Sequence, residues 1–67
     1  MASERDRELA QYAQGKPSEV RDRGTYGWYQ GSMVNRSGGG EVTCHGDRIK
    51  VIDGMIFKNG SYVGRAQ

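Results

Sequence analysis

The residues able to do chemistry are few, and their spacing does not assemble a catalytic set. Cys44 and His45 are the chain's single cysteine and single histidine, and they are direct neighbours. Neighbouring side chains on a strand point to opposite faces, so this pair cannot act as a nucleophile and its base. Asp47 and Asp53 fall at predicted turns, where a short polar side chain suits the backbone. We therefore predict that the chain is not an enzyme.

The sequence also lacks the patterns typical of metal and cofactor sites. One cysteine and one histidine are too few ligands for a zinc centre built by the protein alone. The stretch SGGG at 37–40 lacks the lysine and the following helix of a phosphate-binding loop. We predict no metal and no cofactor, and no motif in the sequence identifies a family.

Length and composition predict a single domain, 1–67, with a thin core. Only 34% of the residues are apolar, and a domain of this size buries about 60% of the surface of its unfolded chain. Such small domains often gain stability from a partner, so we expect either a larger protein partner or a homodimer. Ten basic and eight acidic residues give a net charge of +2, a balance that is not typical of dedicated nucleic-acid binders.

The same sequence features predict a soluble, cytoplasmic chain without membrane contact. No apolar run approaches the roughly 18 residues that a membrane span needs. A lone cysteine fits a reducing compartment, where disulfides are rare.

Residues 3–14 are predicted to form a helix. Ser3 suits the N-cap position. Leu9, Tyr12 and Ala13 recur at the spacing of one helical face. Gly15 suits the position just after a helix, where a left-handed conformation is common.

The remaining chain is predicted to be a linker at 15–24, a strand at 25–34, a flexible loop at 35–40 and a β-meander at 41–65. In the meander, the turn candidates Gly46-Asp47, Asp53-Gly54 and Asn59-Gly60 separate four short strands. Two-residue turns fix the register, so the side chains sort into two faces. The apolar face, predicted as core, holds Val42, Cys44, Ile49, Val51, Ile56 and Val63. The mixed face holds Glu41, Thr43, His45, Arg48, Lys50, Ile52, Met55, Phe57 and Tyr62.

The favoured fold class is α+β, with the N-terminal helix packed on a small antiparallel β-meander of four to five strands. The alternative is a small all-β, barrel-like unit with a frayed N-terminal arm. The mixed face is either covered by the helix or by the aromatic strand, or it is a contact surface.

Two groups of residues are candidates for partner binding. Arg48, Lys50, Phe57 and Tyr62 share the mixed face by register, and aromatic side chains beside cations can hold single-stranded nucleic acid. Trp28 and Tyr29, flanked by Arg23 and Arg36, belong to the residue types enriched in protein interfaces. Trp28 and Tyr29 point to opposite faces of an extended strand, so either one could remain outside.

These features favour a small non-enzymatic protein-binding module, an inhibitor or adaptor that acts by covering a surface of a larger protein. A chain of this size would suit a phage or mobile-element protein that inhibits host defence or transcription. The alternative hypothesis is a small single-stranded nucleic-acid-binding protein that uses the basic and aromatic sheet face.

Overall fold

A computed structural model describes residues 2–16, 21–23, 26–37 and 39–66. These residues form one helix and seven strands. Their bounds are α1 Glu4–Ala13, β1 Arg21–Arg23, β2 Tyr26–Tyr29, β3 Ser32–Ser37, β4 Glu41–Cys44, β5 Asp47–Ile52, β6 Met55–Lys58 and β7 Ser61–Arg65. All seven strands pair antiparallel in chain order, and the sheet is open, with β1 and β7 at its two edges. The predicted α+β class is confirmed, and the closed barrel-like alternative is wrong.

The helix forms where the sequence predicts it, and both of its ends have satisfied caps. At the start, the Ser3 hydroxyl accepts a hydrogen bond of 3.1 Å from the backbone N–H of Asp6. At the end, Gly15 has a φ of 79°. Its N–H donates to the carbonyl of Tyr12, and the Lys16 N–H donates to that of Gln11. This pair of bonds is the Schellman arrangement that satisfies the last carbonyls of a helix.

The strand count exceeds the prediction because the described residues between 21 and 37 form three strands where the sequence predicts one. The predicted strand at 25–34 is wrong: it is the hairpin of β2 and β3, with a turn at Gln30-Gly31. The predicted loop at 35–40 is wrong at its start, since residues 35–37 extend β3. The predicted linker at 15–24 contains β1, while its residues 17–20 and 24 lie outside the described part of the chain, as does residue 25.

Four two-residue turns share one backbone conformation. The first residue of each has φ between 49° and 52°, and the glycine that follows has φ between 77° and 87°. Positive φ at both positions defines the type I′ turn, whose twist matches that of the strands it joins. These turns are Gln30-Gly31, His45-Gly46, Asp53-Gly54 and Asn59-Gly60.

The predicted turns at 53–54 and 59–60 are confirmed, whereas the one at 46–47 is wrong. The observed turn lies one residue earlier, so Val42 stands opposite Ile49 rather than opposite Val51. This changes each pairing by two residues, and a shift of two leaves every side chain on its predicted face. Near the chain end, a bulge places Gly64 rather than Val63 opposite Ile56.

The helix covers one side of the sheet by packing against β4, β5 and β6. The core lies between them, and Leu9, Tyr12, Val42, Ile49 and Ile56 are completely buried there. The six residues predicted as core lie in it or against it, since Val51 and Val63 pack partly buried on its rim. The sheet therefore has a helix side and an opposite side, which we call the outer face.

Candidate binding face

The outer face contains the predicted mixed face and extends it onto β2 and β3. Strand pairing puts Trp28 opposite Met33, Thr43 opposite Arg48, and Phe57 opposite Tyr62. Paired residues of neighbouring strands lie on the same face of a sheet. The outer face includes Tyr26, Trp28, Met33, Asn35, Glu41, Thr43, Arg48, Lys50, Ile52, Met55, Phe57 and Tyr62.

Exposed apolar side chains concentrate on this face. Within the described residues, five large apolar side chains are exposed, and all five belong to the outer face. They are Tyr26, Trp28, Met33, Ile52 and Tyr62. The helix covers the other side of the sheet, so neither it nor any other described element shields them. The expectation that the helix or the aromatic strand covers the mixed face is wrong, because the helix lies on the other side and β2 and β3 belong to the same sheet.

The apolar residues form two patches at diagonally opposite corners. The first patch is Tyr26, Trp28 and Met33, on β2 and β3. The second patch is Ile52, Met55, Phe57 and Tyr62, on β5 to β7. Trp28 and Met33 lie near the end of the sheet that holds the Gln30-Gly31 turn. Ile52 and Met55 flank the Asp53-Gly54 turn, which lies at the opposite end of the sheet.

A polar centre lies between the two patches and carries both signs of charge. It consists of Asn35, Glu41, Thr43, Arg48 and Lys50. The Arg48 guanidinium donates to the Glu41 carboxylate at 3.2 Å. Lys50 is exposed and stands directly opposite Glu41 on the neighbouring strand.

The neighbouring turn holds Arg48 in place through its backbone. The side-chain oxygen of Asn59 accepts from the Arg48 N–H at 3.0 Å, and the Asn59 N–H donates to the Arg48 carbonyl at 2.8 Å. The Asn59 amide nitrogen also contacts the Asp47 carboxylate at 3.4 Å. These contacts tie β5 to the turn between β6 and β7 and fix the point from which the Arg48 side chain extends.

A groove runs between the polar centre and the second patch. Its volume is about 470 Å³, and its wall includes Arg48, Lys50, Ile52 and Phe57. The Phe57 and Tyr62 rings meet edge to face, with centroids 5.8 Å apart and planes inclined by 65°. Edge-to-face packing stabilises such a pair, so Tyr62 supports the Phe57 ring that lines the groove.

The eight residues predicted as partner-binding do not all reach this face. Trp28, Arg48, Lys50, Phe57 and Tyr62 lie on it together. The placement of Tyr29 as a contact residue is wrong, because its side chain is only 2% exposed and lies in the core under the helix. Of Trp28 and Tyr29, it is Trp28, at 39% exposed, that remains outside.

Of the two flanking arginines, Arg36 does not join the group, whereas Arg23 stands opposite Tyr26 in the pairing of β1 with β2. The Arg36 guanidinium lies 5.4 Å from the centre of the Tyr12 ring, which places it on the helix side. At this distance the cation and the ring attract each other, so Arg36 covers the end of the helix instead of the outer face. Arg23 belongs to β1, and its side chain lies outside the described residues.

Sequence reasoning missed Tyr26 and Met33 as exposed members of the face. Tyr26 pairs with Asn35, and Met33 pairs with Trp28, on the neighbouring strand. These pairs can be predicted only when the turn at Gln30-Gly31 is recognised. The sequence signal for this turn was a polar residue followed by a glycine, Gln30-Gly31, between two apolar runs.

A second group of polar side chains gathers where the turns of two hairpins meet the start of the helix. The Nε2 atom of His45 lies 2.7 Å from the Ser32 hydroxyl oxygen. These two residues, with Arg5, Tyr29 and Cys44, line a cavity of about 290 Å³. A serine hydrogen-bonded to a histidine is half of a nucleophilic site, which also needs a group that orients the base. None of the described carboxylates contacts the His45 ring, so the hydrogen bond is best explained as a link between the two turns.

Burial changes the acidity of Tyr29 in this cavity. It raises the pKa of the hydroxyl to about 12, and the nearby Glu8 carboxylate adds to the increase. The hydroxyl finds no hydrogen-bond partner of good geometry among the described residues. We therefore attribute the effect of Glu8 to repulsion between two negative charges. Cys44 is buried and free, as its position on the predicted core face indicates.

The described residues contain no cluster of three or more histidine, cysteine or acidic side chains that could hold a metal ion. In the same part of the chain, no helix has the length and apolar character needed to cross a membrane.

Comparisons with family models, with curated proteins and with solved structures find no match to this chain.

Proposed function

We propose that the outer face is a protein-binding surface and that the chain is a non-enzymatic binding module. It would act as an inhibitor or adaptor by covering a surface of a larger protein. One observation carries the proposal: the five exposed large apolar side chains of the described residues share the face that the helix leaves open. Exposed apolar patches bordered by polar residues are typical of binding sites. Trp28 and Tyr62 are also of the types that dominate interface energetics.

A second candidate function is the binding of single-stranded nucleic acid. It is favoured by one row of side chains across three strands, in which Lys50 stands beside Phe57 and Phe57 beside Tyr62. Bases could stack on these rings while the cation contacts a phosphate. Glu41 weighs against it, because its carboxylate neutralises Arg48 at 3.2 Å and would repel a phosphate. Protein binding is therefore the better-supported function.

We place this function in the cytoplasm, because the free thiol of Cys44 suits a reducing compartment. We also propose that the chain comes from a phage or mobile element and inhibits host defence or transcription. This proposal rests on the small size of the chain.

The test is affinity capture with a tagged chain in three forms: wild type, Trp28→Glu and Gln11→Glu. Gln11 is exposed on the helix, away from the outer face, so Gln11→Glu adds the same charge without touching that face. We expect wild type and Gln11→Glu to retain the same proteins and Trp28→Glu to lose them. Thermal unfolding of each form shows whether a loss reflects misfolding.

Treatment of the lysate with nuclease separates the two candidate functions. A protein partner stays bound after nuclease, whereas a partner held through nucleic acid is released. Binding to a single-stranded oligonucleotide that weakens steeply with salt would favour the second function. Capture that Trp28→Glu leaves unchanged would contradict the use of the outer face.

A further inference from the structure

We infer that a second copy of the chain covers the outer face when no target is bound. The two copies would pack outer face to outer face, with their helices on the outside. This inference rests on the proposed function, since it assigns the first occupant of the same binding surface. Target binding would then compete with self-association.

The size of the face suits one partner of this kind. The molecule measures 27 × 21 × 21 Å, so one of its faces presents roughly 500 Å² in projection, and more as accessible surface. A standard interface buries about 800 Å² on each partner. Packing two whole outer faces together therefore approaches the area of a stable dimer, whereas a contact through one patch would not.

The layout of the face is complementary to itself. A two-fold dimer uses the same surface on both copies, so each contact between two different residues occurs twice. A two-fold axis can lie in the plane of the face, perpendicular to the line that joins the two patches. Rotation about this axis places the first patch of each copy on the second patch of the other. The apolar corners then cover each other, and strands of the two sheets cross at a large angle, as in orthogonal sheet packing.

The polar centre satisfies the same symmetry. Because it lies between the patches, the axis passes through it and brings the charged residues of the two copies together. Each copy contributes the Glu41 carboxylate and two cations, Arg48 and Lys50. Lys50 is exposed and stands opposite the Glu41 of its own chain, and the two-fold axis brings it toward the Glu41 of the other copy as well. A face with one sign of charge at its centre would repel its own copy.

The experiment measures the dimer dissociation constant by sedimentation equilibrium over a wide concentration range. Trp28 is the chain's single tryptophan, so its emission should also shift to shorter wavelength as concentration rises. We expect Trp28→Glu, in the first patch, to raise the dissociation constant about 30-fold, the loss typical of an interface hot spot. Ile52→Glu should weaken the dimer similarly, since it lies in the patch that faces Trp28 of the other copy. Gln11→Glu should leave the dissociation constant unchanged.

A charge exchange provides the sharper test. Glu41→Lys and Lys50→Glu should each weaken the homodimer, and a mixture of the two single variants should recover most of the affinity, because every contact between position 41 of one copy and position 50 of the other then joins opposite charges. The pairing of the same two positions within one chain is not restored in the mixture, so recovery reports contact between the two copies. Thermal unfolding monitored by circular dichroism confirms that each variant is folded.

Two results would overturn the inference. One is a wild-type chain that stays monomeric at every concentration. The other is a dimer that Trp28→Glu and Ile52→Glu weaken no more than Gln11→Glu does. Both leave the proposed function standing if target capture still depends on Trp28, so failure of the dimer and failure of the function are distinguishable.

Discussion

The buried hydroxyl of Tyr29 should make the protein lose stability at alkaline pH. Burial raises the pKa of this group to about 12, whereas a tyrosine in an unfolded chain ionises near pH 10, about its ordinary value. Between these two values the unfolded chain releases a proton that the folded protein retains. The contribution is therefore fully present below pH ~10 and is lost as pH rises through about 12.

The size of the effect follows from the two pKa values. At pH 11 the unfolded tyrosine is mostly ionised and the folded one mostly neutral, which lowers the free energy of unfolding by about 1.4 kcal/mol relative to neutral pH. Only 2% of the Tyr29 side chain is exposed, so solvent screening reduces this figure little.

The assay compares wild type with Tyr29→Phe in urea unfolding at pH 8 and at pH 11. The variant keeps the ring in the core and removes the ionisable hydroxyl, which has no hydrogen-bond partner among the described residues. We expect little difference at pH 8, because removing an unpaired buried hydroxyl costs little. The free energy of unfolding of the variant minus that of wild type should be about 1.4 kcal/mol larger at pH 11 than at pH 8. Parallel pH profiles for the two proteins would refute the assignment of Tyr29 to the core.

Two further predictions concern the backbone. Gln30→Asn should raise the free energy of unfolding by roughly 0.5–1 kcal/mol, because Asn-Gly suits a type I′ turn better than Gln-Gly. The control is the same change at Gln11 in the helix, which should lower the free energy of unfolding slightly. Chemical denaturation measures both variants, and equal effects would contradict the turn. Gly64→Ala should destabilise the fold by roughly 1–3 kcal/mol, since φ is 149° and the added Cβ would lie 2.7 Å from the backbone nitrogen of Ala2. Gly31→Ala, where φ is 79° and nothing lies within 4 Å, is the control for backbone strain alone. A thermal melt in which Gly31→Ala costs as much as Gly64→Ala would show that contact with Ala2 is unimportant.

Much of the second half of the fold could be predicted from sequence. Side chains alternate along a strand, and two-residue turns at Asp53-Gly54 and Asn59-Gly60 fix how the strands pair. The faces were correct even though the turn near Gly46 was misplaced. The observed pairing differs from the predicted one by two residues, which preserves the alternation. Arg48, Lys50, Phe57 and Tyr62 could therefore be grouped on one face before the structure was known.

The first half could not be predicted in the same way. Gln30 adopts a φ of 49°, a conformation that a glutamine rarely takes by itself. Its cost is offset by pairing of β2 with β3, which involves residues on both sides of the turn. Without that pairing the chain from 25 to 34 reads as one strand, and the first patch of Tyr26, Trp28 and Met33 remains hidden.

The sequence alone determined that Trp28 and Tyr29 point to opposite sides of a strand, because adjacent side chains alternate. It also determined that the helix has an apolar stripe to bury, through the spacing of Leu9 and Tyr12. Only the tertiary structure decided which side of the sheet that stripe covers. The helix packs on the side of Val42 and Ile49, where burial of apolar surface is greatest. That packing encloses Tyr29 and leaves Trp28 on the outer face, available to a partner.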